Sequence, residues 1–195
     1  MQENQKLAII HGIIMKILDE CNWYRKIFIR KQGIWVVFIC GLNKCEGNMS
    51  FWKKDGILNL GAFDCDIKFV EWRIGYYLPQ EYQELIKDHN GGYVQENKFY
   101  YIDANNEVEF GSIYMLNLFD ILKVYLDPPE FFPKSLVPFA DDGGGDLTCF
   151  DYRNCKENPP IVFWVCGAPE GEDVHFVANS FDEFLGMLYK DDTLN

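Results

Sequence analysis

The chain has 195 residues, of which 48% are hydrophobic and 16% aromatic, so it can bury a core and is not intrinsically disordered. Lys and Arg number 18 against 30 Asp and Glu, a formal net charge of −12. This acidic balance excludes non-specific binding to nucleic acid, which needs clustered basic side chains.

The charge is distributed unevenly along the chain. Residues 1–65 hold 9 basic and 6 acidic side chains, a net charge of +3, whereas residues 66–195 hold 9 basic and 24 acidic ones, a net charge of −15. The asymmetry indicates two segments with different roles. An acidic surface on the second segment attracts cationic partners such as a basic protein, and the simpler alternative is an acidic surface without a partner.

The first residues predict an amphipathic helix from about Lys6 to Cys21, because apolar side chains recur there at helical spacing. Polar and charged residues interrupt this stretch, and no cleavage site follows it, which is not typical of a secretory signal. The seven cysteines form no CxxC pair and favour reduced thiols in a cytoplasmic protein over a disulfide framework or a zinc site. No apolar run reaches the roughly 20 residues that a membrane span needs.

A β-hairpin is predicted next. Apolar side chains alternate over residues 26–30, and residues 34–40 form a continuous apolar run. The polar sequence from Arg30 to Gly33 between them is suited to a turn. We therefore expect residues 1–65 to form an N-terminal extension made of a helix and a β-hairpin.

The middle of the chain predicts two helices and two short strands. One helix begins at Leu78 and Pro79, presents an apolar face, and ends at Asn90-Gly91-Gly92, where a left-handed turn is possible without a Cβ clash. The other helix covers residues 118–126 and is stopped by Asp127-Pro128-Pro129. The strands between the two helices are expected at residues 99–102 and 108–110.

The last third predicts strands at residues 147–152, 161–166 and 174–178, preceded by the acidic, glycine-rich sequence 141–146. Ser180 and Glu183 form a capping box for a closing helix whose apolar stripe begins with Phe181 and Phe184. Strands and helices do not alternate as in a parallel array. The order favours an α+β fold with a mainly antiparallel, twisted sheet and helices packed on one side, over residues 66–190, with a tail at residues 191–195.

This pattern resembles the SUKH superfamily, the Smi/Knr-like proteins that include bacterial immunity proteins against polymorphic toxins and a fungal regulator of cell-wall synthesis. The resemblance covers residues 70–190 and rests on motif residues that occur in the family's order: Glu71, Leu78, Pro79, Tyr82, Asn90, Gly91, Gly92, Gly144, Gly145, Trp164, Ser180, Phe181 and Phe184. Residues 1–65 lie outside it.

The resemblance implies a binding protein without enzymatic activity or cofactors, which neutralises a cognate toxin domain, often a nuclease. A nuclease holds a polyanion in a basic cleft, so an acidic protein is suited to occupy that cleft. Two alternatives remain: a scaffold or regulatory module of the same fold, and a small hydrolase. The sequence does not decide between a monomer and an oligomer.

Acidic residues on or beside the last three strands are the candidate contacts for a basic partner, and solvated surface charge is the alternative interpretation. The candidates are Asp141, Asp142, Asp146, Glu170, Glu172 and Asp173. The glycine-rich sequence lacks the ligand spacing of a calcium loop and favours a tight turn.

Catalytic interpretations are weaker than structural ones at the remaining polar residues. Ser180 is expected to cap its helix rather than act as a nucleophile beside His175. Cys149, Cys155 and Cys166 are expected to be core thiols, because no histidine lies near them in the sequence. Trp164 is expected in the core rather than on an exposed stacking surface.

Overall fold

The computed structural model describes residues 27–30, 33–36, 51–52 and 61–190. The chain divides into two compact units, Met1–Glu46 and Gly47–Asn195. The predicted helix at residues 6–21 and the tail at 191–195 lie outside the described residues. The division of the chain after residue 65 stays a prediction.

The described part of the first unit is a β-hairpin. Strands β1 (Ile27–Arg30) and β2 (Gly33–Val36) pair in antiparallel fashion, with Ile27 opposite Val36 and Arg30 opposite Gly33. The predicted antiparallel pairing of the two strands is therefore confirmed.

The second unit contains two antiparallel sheets. The smaller sheet pairs β3 (Lys98–Ile102) with β4 (Val108–Ser112). The larger sheet has the order β5-β6-β7-β8-β9, and each strand pairs with its neighbour in the chain. Its strands are β5 (Tyr114–Met115), β6 (Leu136–Asp141), β7 (Leu147–Asp151), β8 (Ile161–Trp164) and β9 (Val174–Ala178).

Four helices accompany these sheets in the described residues: α1 (Asp64–Ile74), α2 (Gln80–Asp88), α3 (Leu118–Leu126) and α4 (Phe181–Met187). Each contributes buried side chains to one main core, which is rich in aromatic residues. Tyr82 of α2 packs edge-on against Phe150 of the sheet and Phe181 of α4, with ring centroids 5.2 Å apart in both pairs. The antiparallel pairing and the shared core confirm the predicted α+β fold.

The other face of the larger sheet carries a second, smaller apolar cluster. Side chains alternate between faces along a strand, so Cys149 and Phe150 point to opposite sides. Cys149 belongs to the smaller cluster and Phe150 to the main core. The smaller cluster consists of Leu136, Leu147, Cys149, Val162 and Trp164. The large sheet is therefore apolar on both faces, and the second face has fewer covering residues.

Two helices depart from the prediction. Helix α1 was not expected, because its apolar residues do not segregate cleanly: Ile67 and Val70 are buried, whereas Phe69 and Trp72 are exposed. Helix α2 ends at Asp88, and the following His89 has an extended backbone, with φ −153°. The helix therefore ends two residues before Asn90, whereas the left-handed turn predicted for Asn90-Gly91-Gly92 is confirmed at Gly91 and Gly92, with φ of 82° and 125°.

Strand β6 was also missed. Pro138 lies in its middle, and proline lacks the N–H that a central strand donates. The structure accommodates it at an irregularity, because the register between β6 and β7 shifts between Pro138 and Ala140. A bulge at this point leaves the strand intact on both sides of the proline.

Candidate functional site: an acidic groove on the second sheet face

A groove of about 1030 Å³ opens over the second face of the larger sheet. Trp164 and Val174 form its floor. One wall is the segment Glu130–Pro133, which precedes β6, and the other is the loop Cys166–Asp173 between β8 and β9. Its volume is at the upper end of the range for small-molecule pockets, and it is open along one side, so it is suited to a polypeptide surface.

Trp164 is fixed in this floor by two contacts. Its indole Nε1 donates to Asp173 Oδ2 over 3.1 Å, and both residues are buried. The Phe132 ring meets the indole edge-on, with centroids 5.0 Å apart. These contacts hold the indole in the sheet face, and the predicted core position of Trp164 is confirmed.

The basic side chain in the groove lining, Arg153, is already neutralised. Its Nε and terminal nitrogen donate to the two carboxylate oxygens of Asp151 over 2.9 and 2.8 Å. Burial raises the pKa of Asp151, but the hydrogen bonds and charge of Arg153 outweigh it and hold this pKa below its ordinary value. With this pair internally balanced, Glu130, Glu170 and Asp173 give the groove lining a negative charge.

The glycine-rich turn between β6 and β7 is organised by one carboxylate. Asp142 Oδ1 accepts hydrogen bonds from the backbone N–H groups of Gly144, Gly145 and Asp146, over 2.7 to 3.0 Å. Gly143 and Gly145 have φ of 79° and 116°, a region that favours glycine. This geometry agrees with the predicted tight turn.

This turn is tied to the groove wall. Asp146 Oδ1 accepts from the backbone N–H of Cys166, in the loop between β8 and β9, over 2.8 Å. Burial raises the pKa of Asp146 and of Asp141, and the neighbouring Asp142 adds to both shifts. The turn between β6 and β7 and the loop between β8 and β9 therefore meet at one end of the sheet.

The six predicted contact residues fall into two groups. Glu170 and Glu172 are exposed, and Glu170 lines the groove. Asp142, Asp146 and Asp173 have hydrogen bonds to backbone or side-chain donors of the chain itself. Asp141 is half-buried at the end of β6 and accepts from the backbone N–H of Gly143. Whether these residues contact a partner stays a prediction.

Several motif residues hold elements together. Glu71 Oε1 accepts from the backbone N–H of Leu78 over 2.9 Å, which connects α1 to the start of α2. Asn90 Oδ1 accepts from the N–H of Leu118 over 2.9 Å, at the start of α3. Gly91 packs so closely on this point that a Cβ would lie 2.5 Å from the backbone nitrogen of Asn117.

The closing helix has the predicted cap. Ser180 Oγ accepts a hydrogen bond from the N–H of Glu183 over 3.1 Å. In turn, Glu183 Oε2 accepts one from the N–H of Asn179 over 2.9 Å. The Ser180 hydroxyl oxygen therefore acts as the helix cap, as predicted. His175 is buried in β9 with its ring 5.0 Å from that of Tyr101.

The cysteine prediction was correct for one thiol. Cys149 is buried, and burial raises its pKa well above the ordinary value. Cys155 is only partly buried, and Cys166 is exposed, because β8 ends at Trp164 and Cys166 lies in the following loop rather than at the end of the strand as predicted. Within the part of the chain that the structure describes, no three His, Cys, Asp or Glu residues are placed to hold a metal ion.

Sequence reasoning missed the wall formed by residues 130–133. The sequence Pro-Pro-Glu-Phe-Phe-Pro signals a break after α3, but nothing in it signals that Phe132 packs on a tryptophan 32 positions later. Arg153 was missed because its pairing with Asp151 depends on the local turn after β7. The adjacent phenylalanines at 131 and 132, in a segment bounded by prolines, indicate an aromatic loop, but they do not indicate which residue it contacts.

The groove lies within the part of the chain that matches a known family. The family model described as "SMI1 / KNR4 family (SUKH-1)" matches residues 61–187. The chain belongs to the SMI1/KNR4 family (SUKH-1). The resemblance predicted from the motifs is thus confirmed, and this SUKH-1 domain is in general terms an immunity-like or interaction module.

A relative of this SUKH-1 chain is the "SPbeta prophage-derived uncharacterized protein YokK" of Bacillus subtilis (strain 168). The two are 26% identical over 148 residues, which cover 63% of this chain and 72% of the relative. Among the described residues, none of the helices has the length and apolar character needed to cross a membrane.

Proposed function

We propose that the chain is a cytoplasmic immunity protein that binds one cognate bacterial toxin domain and blocks its active cleft without chemical turnover. The observation that supports this most directly is the SUKH-1 match over residues 61–187. The proposed toxin is a basic domain that acts on nucleic acid, because the inhibitor is strongly acidic.

The charge of the molecule favours this class of partner. Residues 66–195, which contain nearly all of the SUKH-1 match, carry a net charge of −15, and the groove lining carries Glu130 and Glu170 with its arginine paired internally. A negative field of this kind accelerates association with a cationic surface. Phe132 and Val174, which are partly buried in the groove lining, supply apolar area, which a partner needs for affinity.

The test uses the toxin domain encoded beside the gene for this chain, in a catalytically inactivated form. Isothermal titration calorimetry is expected to give a stoichiometric complex with a sub-micromolar Kd, and co-expression is expected to protect cells from the active toxin. Absence of both binding and protection would overturn the proposal. A regulatory scaffold of the same fold predicts binding to other proteins without protection from any toxin.

A further inference from the structure

Phe131, at the rim of the groove, has a backbone conformation that is unfavourable for a bulky residue, and its apolar ring is exposed to solvent. Phe131 is 85% exposed, the largest value among the exposed large hydrophobic residues of the described chain. Its φ is +64°, in the left-handed region. A bulky L-residue is rarely found there, because its Cβ crowds the backbone.

The local turn explains where this strain arises. The N–H of Phe132 donates to the carbonyl of Pro129 over 3.2 Å, which closes a β-turn with Glu130 and Phe131 in its central positions. Phe131 alone of these two has a positive φ, as in a type II turn, whose third position favours glycine or asparagine. The chain places phenylalanine where the backbone geometry favours a residue without a large side chain.

At the other non-glycine residues with a positive φ, the type of side chain accounts for the conformation. The structure describes four non-glycine residues with positive φ, and two of them, Asn106 and Asn158, are asparagines, which tolerate it. The third is Ser135, which has a small side chain. Phe131 is therefore the bulky exception, and it lies on a groove wall.

The Phe131 ring also differs from the exposed rings of the β3–β4 hairpin. On the β3–β4 hairpin, Tyr100 stacks on Tyr189 with centroids 4.7 Å apart, and Lys98 Nζ lies 4.7 Å from the centre of the Phe110 ring. Among the described residues, Phe131 makes no such aromatic or cationic contact. Phe132, the next residue, packs on Trp164 and fixes the base of the turn.

We propose that Phe131 is the anchor of the toxin interface: its ring inserts into an apolar pocket of the partner that is rimmed by Lys or Arg side chains. This inference rests on the proposed function and names the contact within it. Glu130, next to Phe131 in the chain, and Glu170 on the opposite wall line the same groove, and their negative charge complements a cationic rim. An aromatic side chain has few rotatable bonds, so it buries a large apolar area on binding at a low cost in conformational freedom.

The test replaces Phe131 by asparagine, which suits the left-handed turn but removes the ring. Calorimetric titration with the inactivated toxin domain is expected to show at least a tenfold weaker Kd for Phe131→Asn. The Tm of this variant is expected to be unchanged or higher than that of the wild type, because the backbone strain is relieved. Phe131→Tyr keeps a ring and is expected to bind within threefold of the wild type.

The matched control is Phe110→Asn, which makes the same change at an exposed ring of the β3–β4 hairpin and is expected to leave Kd within twofold. If Phe131→Asn binds as tightly as the wild type while the wild type binds its toxin, the anchor is wrong and the proposed function stands. Loss of binding in Phe110→Asn alone moves the interface to the hairpin and also overturns the anchor. A wild type that binds no toxin overturns the proposed function itself.

Discussion

At the residue scale, the floor of the groove depends on a buried pair. The Trp164 indole donates to Asp173, whose other carboxylate oxygen accepts from the backbone N–H of Gly171. Asp173 therefore connects the floor of the groove to the loop that forms its wall. This internal role exists whether or not the carboxylate also meets a partner.

Removing this carboxylate is expected to destabilise the fold. Asp173→Ala leaves the buried indole N–H without its acceptor, which costs about 1–3 kcal/mol in the free energy of unfolding. The neighbouring exposed Glu172 offers a matched control, since Glu172→Ala is expected to change that free energy by less than about 0.5 kcal/mol. Urea denaturation of both variants checks the difference, and equal stability of the two would show that the hydrogen bond contributes nothing.

Some residue roles were predictable and others were not. Ser180 and Glu183 carry a local signal, because a helix cap involves residues within four positions, and the structure confirms it. The pairing of Trp164 with Asp173 and Phe132 depends on how distant segments fold over the sheet. A single sequence identifies the acidic and aromatic residues but not which of them face each other.

At the element scale, the β3–β4 hairpin is locked to the core through a glycine. Gly111 is buried in β4, and a Cβ placed there would lie 2.3 Å from Cζ of the Phe99 ring. Phe99 is itself fully buried and packs edge-on against Phe163 and Phe184. The ring therefore has little room to move away from an added methyl group.

Gly111→Ala is accordingly expected to lower the free energy of unfolding by about 1–3 kcal/mol through overpacking. Gly186 in α4 has open space around it, so Gly186→Ala is expected to raise that free energy by about 0.5–1 kcal/mol. Thermal unfolding of both variants measures the two opposite shifts. Stabilisation by the alanine at position 111 would contradict the packing described for Phe99.

Element prediction succeeded where the signal was local and periodic. Helix α3 matches the predicted span of residues 118–126, because its apolar spacing and the following prolines define both ends. Strand β6 was missed because Pro138 argues against a strand, and a bulge that accommodates it has no signature in one sequence. The groove wall at residues 130–133 could not be predicted either, because its position depends on the pairing of β6, which follows it, with β7.

At the scale of the whole molecule, partly buried carboxylates are expected to make stability depend on pH. Burial raises the folded-state pKa of four groups: Asp66, Glu71, Asp141 and Asp146. A raised pKa means that the folded state binds the proton more tightly. The stabilising effect is therefore complete below the ordinary carboxyl pKa of about 4 and is lost as the pH rises through the raised values.

Asp151 works in the opposite direction, because its lowered pKa stabilises the folded state above a pH of about 4 and this stabilisation is lost on further acidification. We therefore expect Tm to rise as the pH falls from 7 towards the ordinary carboxyl pKa of about 4, and to fall again on further acidification. Scanning calorimetry at pH 7, 5 and 3 measures this. The rise is expected to be smaller in Asp141→Asn, and a Tm that falls steadily from pH 7 to 5 would contradict the account.

The most direct measurement of the central claim is the toxin affinity of a charge-reversed groove. Glu130→Lys combined with Glu170→Lys places positive charge on both walls, and Glu81→Lys combined with Glu84→Lys makes the same change on exposed positions of α2. The account predicts that the groove variant binds at least a hundredfold more weakly than the wild type, whereas the α2 variant stays within about threefold. Equal weakening of both variants, or none in the groove variant, would contradict it.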